Sequence, residues 1–173
     1  MAARRTRLWQ GEEGELASSA ATNNEEHLGT YATSPNRVKE DVANEKQIYE
    51  GGYAGRQVFE LVQNAADAAR IAGVDGRIEL FLSKTGSLYC ANTGEPLTAD
   101  GLTALQFNRL SPKTNQDVEL IGRFGVGFKS LLAVTKSPAI FSRTGSVLFD
   151  SDRAEEEIRS RVPQVRQTPR MRL

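Results

Sequence analysis

The chain has 173 residues, 39% of them apolar and 25% charged, which is the composition of a globular protein long enough to bury a core. Basic and acidic residues both number 22, so the balanced charge argues against a nucleic-acid partner or a membrane surface. One cysteine excludes an internal disulfide and a thiolate metal cluster, one histidine argues against a histidine metal site, and a cytoplasmic location is expected.

No membrane span is expected, because no run of the sequence approaches 18 apolar residues, and no signal peptide is expected, because the basic start is followed by Gly-Glu-Glu-Gly-Glu. Residues 1–34 are polar, without sustained periodicity, and are predicted to form a flexible arm. Order is expected to begin at Ser34-Pro35, with a polar helix over 37–50. A second helix is predicted over 54–72, where apolar residues recur at helical spacing before Gly73.

The second half of the chain mixes strand and helix patterns. Two hairpins and three helices are predicted, with the strands at 77–83, 87–92, 139–143 and 146–150 and the helices at 99–107, 128–134 and 152–161. This order predicts an α+β fold. The expected folded domain is 35–151, followed by a C-terminal helix and basic tail, 152–173, that leads to further domains of a larger protein.

A glycine-rich motif, IGRFGVGFKS at 121–130, precedes an apolar helical run. Glycines at such a position let backbone N–H groups converge on an anion at the start of a helix. The P-loop pattern would need Lys-Ser directly after the second glycine, but a phenylalanine separates Gly127 from Lys129. The dinucleotide pattern would need a third glycine where Ser130 stands. The motif alone therefore also fits a tight turn that leads into a helix.

The helix over 54–72 carries the sequence ELVQNAADA, in which Glu60, Asn64 and Asp67 stand at i, i+4 and i+7. At about 100° per residue, these side chains share one narrow polar arc beside the apolar face. Carboxylate and amide oxygens are ligands that Mg²⁺ takes, usually together with water and substrate phosphates. Glu60 could alternatively act as a general base on water. A solvated stripe is the third reading of the same pattern.

Together, ELVQNAADA and IGRFGVGFKS resemble the GHKL ATPase superfamily, which is named for gyrase, the heat-shock chaperone, histidine kinases and a mismatch-repair protein. The resemblance is greatest to the nucleotide domains of the heat-shock chaperone and of sacsin-type proteins, and it covers about 37–150. It implies a two-layer α/β sandwich with a mixed, mostly antiparallel sheet and helices on one face. ATP and Mg²⁺ are the cofactors that it implies.

The resemblance also assigns roles by motif position. Glu60 would be the general base for the hydrolytic water, and Asn64 would be the Mg²⁺ ligand. The residues 98–120 would form a lid. The nucleotide-binding residues would be Asp67, Ala68, Asn92, Gly94, Leu97, Gly122, Arg123, Phe124, Gly125, Val126, Gly127 and Phe128. Lys129 would either reach a phosphate or face water from the first turn of the helix.

The turn that would read the adenine departs from the family pattern, Asp-x-Gly-x-Gly. This chain has Asn92-Thr-Gly94-Glu-Pro96 there. An asparagine oxygen can still accept a bond from the adenine amino group but lacks the charge, so base recognition is expected to be altered. Pro96 should stiffen the turn.

The expected function is that of a Mg²⁺-dependent ATP-binding domain and slow ATPase with a nucleotide-responsive lid. Slow turnover is expected because the chain offers no convincing arginine for the γ-phosphate, so full activity would need a downstream domain. A homodimer through the N-terminal arm and the lid is an expected partner interaction. The alternatives are a nucleotide-gated dimerisation module without hydrolysis and a scaffold that binds no nucleotide.

Overall fold

The computed structural model describes residues 14–50, 55–107 and 126–165. Helices dominate these ranges, and their bounds are α1 Glu15–Thr33, α2 Asn36–Glu50, α3 Gln57–Ala72, α4 Ala99–Gln106, α5 Val126–Lys129 and α6 Ser151–Arg161. Helix α5 continues into a 3₁₀ turn, Ser130–Ala133, and a second 3₁₀ turn spans Pro163–Val165. No helix in the described ranges has the length and apolar character needed to cross a membrane.

Two antiparallel hairpins make up the strands of the described part of the chain. β1, Ile78–Leu82, pairs with β2, Leu88–Asn92, and β3, Ala139–Ser142, pairs with β4, Gly145–Leu148. The α+β class and the antiparallel pairing are confirmed. The strands form two separate two-stranded sheets, an arrangement compatible with an α/β sandwich.

Local sequence signals explain most of the element boundaries. Helix α3 ends at Gly73, whose backbone is left-handed with φ 63°, as the sequence predicted. The Thr98 side chain accepts a hydrogen bond from Gly101 N and caps α4. In the same way, Asp150 accepts a hydrogen bond from Arg153 N and caps α6, the predicted C-terminal helix.

The prediction that residues 1–34 form a flexible arm is wrong for 15–33, because this segment is helix α1 and packs against α4, α2, α6 and β4. Its buried residues are Leu16, Asn23 and Leu28. Apolar periodicity did not predict this helix, because its buried face carries a polar residue, Asn23, at a position where the pattern requires an apolar one. Residues 1–13 lie outside the described ranges.

Asn23 ties α1 to α4 through two hydrogen bonds made by its amide. Nδ2 donates to Thr103 Oγ1 at 3.1 Å and to Gln106 Oε1 at 2.6 Å. One turn further along α1, the His27 ring stacks on Phe107, with ring centroids 4.1 Å apart. The start of the predicted lid, 98–107, is therefore held by α1, while 108–120 lies outside the described ranges.

We expect Asn23→Ala to lower the free energy of unfolding by about 1–3 kcal/mol, because two partly buried polar partners, Thr103 and Gln106, lose their hydrogen bonds to the buried Asn23. Urea denaturation measures the change. Thr22→Ala is the matched control, since Thr22 is exposed on the same helix and should change stability by less than about 0.5 kcal/mol. Equal effects of the two substitutions would contradict the role given to Asn23.

The C-terminal helix packs against the N-terminal ones. Val38 of α2 forms a buried apolar cluster with Val162 and Val165. The Arg161 guanidinium donates to the Glu25 carboxylate of α1 at 2.7 Å. The predicted boundaries of the folded domain, 35 and 151, remain a prediction.

Candidate functional site

Helix α3 carries the polar arc that the sequence predicted, and the side chains of the arc become more buried from Glu60 to Asp67. The Glu60 side chain is 12% exposed, Asn64 is half-buried, and Asp67 is fully buried. A solvated stripe is therefore excluded for this face. The arc instead lies at the edge of the packed interior, where α3 contacts α5 and the sheet of β1 and β2.

The two sequence motifs meet where Glu60 lies against Gly127, the second residue of α5. A methyl group built on Gly127 would lie 3.0 Å from the Glu60 Cδ and still closer to Oε2. The carboxylate thus occupies the space that any side chain at position 127 would need. Glycine at this position lets the Glu60 carboxylate contact the backbone of the glycine-rich motif directly.

The turn Asn92-Thr93-Gly94 lies against the other end of α3. A methyl group on Gly94 would lie 2.5 Å from Ala69 N and 2.7 Å from the Ala68 carbonyl oxygen. The next residue, Glu95, donates its backbone N–H to that Ala68 oxygen at 2.9 Å. The structure therefore brings the predicted residues Ala68 and Gly94 into direct contact.

Hydrogen bonds fix the conformation of this turn. The Asn92 Oδ1 atom accepts a bond from Gly94 N at 2.9 Å, and the Thr93 hydroxyl accepts one from Arg77 N at 2.9 Å. Because Oδ1 must be the acceptor for a backbone N–H, the amide orientation is fixed, with Nδ2 directed away from that bond. One lone pair of Oδ1 is left for a ligand.

The residues after Gly127 point inward. Phe128 is buried and its ring packs at 5.0 Å from that of Phe149, while Ser130 is buried and donates to the Gly127 carbonyl at 2.6 Å. Lys129 is only 9% exposed, so the reading in which it faces water is wrong. The Lys129 side chain is therefore shielded from solvent.

The remaining predicted residues lie elsewhere or outside the described ranges. Leu97 contacts the second hairpin, where its N–H donates to Ser142 Oγ and its carbonyl accepts from Thr144 Oγ1. It also lines a small cavity with residues at the starts of α1 and α4, away from Glu60. Val126 is the first residue of α5. The residues that lie outside the described ranges are Gly122, Arg123, Phe124 and Gly125.

Sequence reasoning missed Arg56, the residue before α3. Its Nη2 atom is 3.9 Å from Glu60 Oε1, and its guanidinium lies 5.6 Å from the centre of the Phe59 ring. The signal was present as an Arg–Glu pair at i, i+4, which places both side chains on one helix face. The sequence offered no means of distinguishing it from an ordinary surface pair.

A metal at this site would have few protein ligands. Among the described residues, no group of three or more His, Cys, Asp or Glu side chains could hold a metal ion. The Cys90 thiol of β2 donates to the Leu61 carbonyl of α3 at 3.8 Å. Burial raises the pKa of that thiol, which keeps it protonated.

Comparison with known proteins gives a distant and partial match. No family model and no solved structure matches the chain. The chaperone proteins HtpG of Shewanella oneidensis and of Shewanella sp. strain ANA-3 are each 30% identical over 133 residues, and that of Shewanella denitrificans is 31% identical over the same length. Each match covers 58% of this chain and 21% of the relative, so the chain matches about a fifth of the length of these proteins. The chain is thus distantly similar to chaperones, the class that the two motifs indicated.

Proposed function

We propose that this chain contains a Mg²⁺-dependent ATP-binding domain of the GHKL type, similar to that of the heat-shock chaperones and sacsin-type proteins, which hydrolyses ATP slowly. The observation that carries the proposal is the contact of the Glu60 carboxylate with Gly127. A carboxylate held beside the backbone of a glycine-rich motif stands next to the position where that motif would bind phosphate.

The proposed roles are those that the resemblance implies for these side chains, and the contact of Glu60 with Gly127 supports them. Glu60 would accept a proton from, and orient, the water that attacks the terminal phosphate. Asn64, one turn further along α3, would hold the Mg²⁺ ion through its amide oxygen. The ion, when bound, would neutralise phosphate charge and fix the geometry of the nucleotide. Gly122–Lys129 would bind the phosphates, and Asn92 and Gly94, with Asp67 and Ala68, would line the nucleoside pocket.

Isothermal titration calorimetry with ATP and ADP, each with and without Mg²⁺, tests the binding site. We expect Mg²⁺-dependent binding that Asn64→Ala weakens by about tenfold or more, because a metal ligand is lost. Gln63→Ala is the matched control, since it removes a neighbouring amide about 100° away on the same helix. Absence of binding at millimolar nucleotide would refute the proposal, and equal losses in the two variants would refute the role of Asn64.

A second function, nucleotide-gated association without significant hydrolysis, is favoured by the apolar surface of the first hairpin. Phe81 and Tyr89 form a cross-strand aromatic pair, with ring centroids 6.1 Å apart, and both are about half exposed. Exposed apolar side chains in such a cluster are typical of interaction surfaces. Under this alternative, loss of Glu60 would leave the nucleotide response of the chain intact.

A further inference from the structure

The turn that follows β2 uses its backbone N–H groups within the fold. Those of Thr93, Gly94 and Glu95 each donate to a partner in the chain, at 3.2, 2.9 and 2.9 Å. The next residue, Pro96, has no N–H to donate. A ligand at this turn therefore meets no free backbone donor from 93 to 96.

The side-chain amide of Asn92 is the N–H donor that this turn still offers. Its Oδ1 atom accepts the Gly94 N–H, and no hydrogen bond joins its Nδ2 group to another of the described residues. Side chains alternate along a strand, so Asn92 lies on the same face of β2 as Cys90, whose thiol donates to Leu61 of α3. Asn92 is exposed, and its amide is therefore presented on the α3 side of the turn, where the proposed nucleoside pocket lies.

The other residues proposed for this pocket leave the choice of base to Asn92. Asp67 is fully buried, so its carboxylate is not exposed to a bound base. Ala68 and Gly94 have no polar side-chain atom, and the Ala68 carbonyl already accepts the Glu95 N–H. Among the described residues of the pocket, Asn92 is thus the side chain that can form a hydrogen bond with a base.

The bond from Gly94 determines which half of the amide a base would meet. Turning the amide by 180° would place Nδ2 against the Gly94 N–H, donor against donor, so Nδ2 stays directed away from that bond. In the proposed site this turn contacts position 6 of the purine, which carries an amino donor in adenine and an oxo acceptor in hypoxanthine and guanine. An oxo group can accept the Nδ2 hydrogen, whereas an amino group faces another donor and can use only the second lone pair of Oδ1.

We propose that Asn92 makes the nucleoside pocket bind purine nucleotides with an oxo group at position 6, such as inosine and guanosine triphosphates, at least as tightly as ATP. This inference rests on the proposed function and names a substrate class for the same site. An aspartate at position 92 would have the opposite preference, because a carboxylate only accepts hydrogen bonds. It would pair with a 6-amino group and repel a 6-oxo group.

Isothermal titration calorimetry of the full chain with Mg-ATP and Mg-ITP tests the inference, since inosine differs from adenosine in the 6-oxo group and the N1 proton that accompanies it. We expect the wild-type chain to bind ITP at least as tightly as ATP, and Asn92→Asp to bind ATP about tenfold tighter than ITP or more. The aspartate still accepts the Gly94 N–H, so the turn keeps its conformation. Asn36→Asp, the same change at the exposed start of α2, should leave the ratio of the two affinities unchanged.

The outcomes separate the two proposals. A wild-type chain that prefers ATP to ITP, or an Asn92→Asp variant that keeps the wild-type ratio, would overturn the role of Asn92 while the ATP affinity still supports the proposed function. If Asn92→Asp does not fold, the wild-type ratio decides the question, because that comparison needs no substitution. A wild-type chain that binds neither nucleotide would overturn the proposed function and this inference with it.

Discussion

Glu60→Gln should reduce the ATPase rate by about 10²- to 10⁴-fold, the usual contribution of a general base. The amide keeps the shape of the carboxylate, and so preserves the packing against Gly127, but it cannot accept the proton of the attacking water. ATP affinity should stay within about threefold, because the change affects the transition state more than the bound substrate. Phosphate release under steady-state conditions and calorimetry measure the two quantities.

The control for this substitution is Glu79→Gln, which makes the same chemical change on the exposed strand β1. It should leave both the rate and the affinity unchanged. A Glu60→Ala variant that keeps a measurable ATPase rate would show that Glu60 is not the base. Wild-type protein that binds ATP but releases no phosphate would favour the association module over the enzyme.

Gly94→Ala should destabilise the fold by about 3 kcal/mol or more, because the added methyl group meets backbone and not a flexible side chain. The atoms in the way are Ala69 N and the Ala68 carbonyl oxygen of α3, so relief requires the turn and the helix to separate. Separation would also break the hydrogen bond from Glu95 N to Ala68. Chemical denaturation of the purified variant measures the loss.

The same substitution at Gly29 provides the comparison. Gly29 lies within α1, and apart from the backbone of that helix and the residues next to Gly29, no atom lies within 4 Å of a methyl group built on it. Gly29→Ala should therefore stabilise the chain by about 0.5–1 kcal/mol, since alanine is the better helix former. Similar effects at the two positions would show that Gly94 does not pack on α3 as closely as the structure indicates.

Helix α3, both hairpins and α6 could be predicted from the sequence because their signals are local. Gly73 ends α3 in a left-handed conformation, and Gly86, with φ 86°, closes the first hairpin. Helix α1 could not be predicted in this way. The buried residue Asn23 of this helix donates a hydrogen bond to Gln106, and local periodicity does not indicate a partner so distant in the sequence.

In the candidate site too, local sequence signals predicted some features, and contacts between distant residues determine the others. Helical spacing was enough to place Glu60, Asn64 and Asp67 on one face of α3. The approach of Glu60 to Gly127 depends on how α3 and α5 pack, which a motif in either helix does not encode alone. The burial of Lys129 and the proximity of Arg56 to Glu60 are likewise consequences of tertiary structure.

The contacts of α1 also impose an order on folding during synthesis. The partners of Asn23, Thr103 and Gln106, are synthesised 80 and 83 residues later in the chain. The partner of Glu25, Arg161, is synthesised 136 residues later. At synthesis rates of about 5–20 residues per second, the first of these partners follows after about 4–16 s. Until then, α2 is the one helix among the described packing partners of α1 that has been synthesised. Helix α1 therefore completes these contacts only after α4 and α6 have been synthesised.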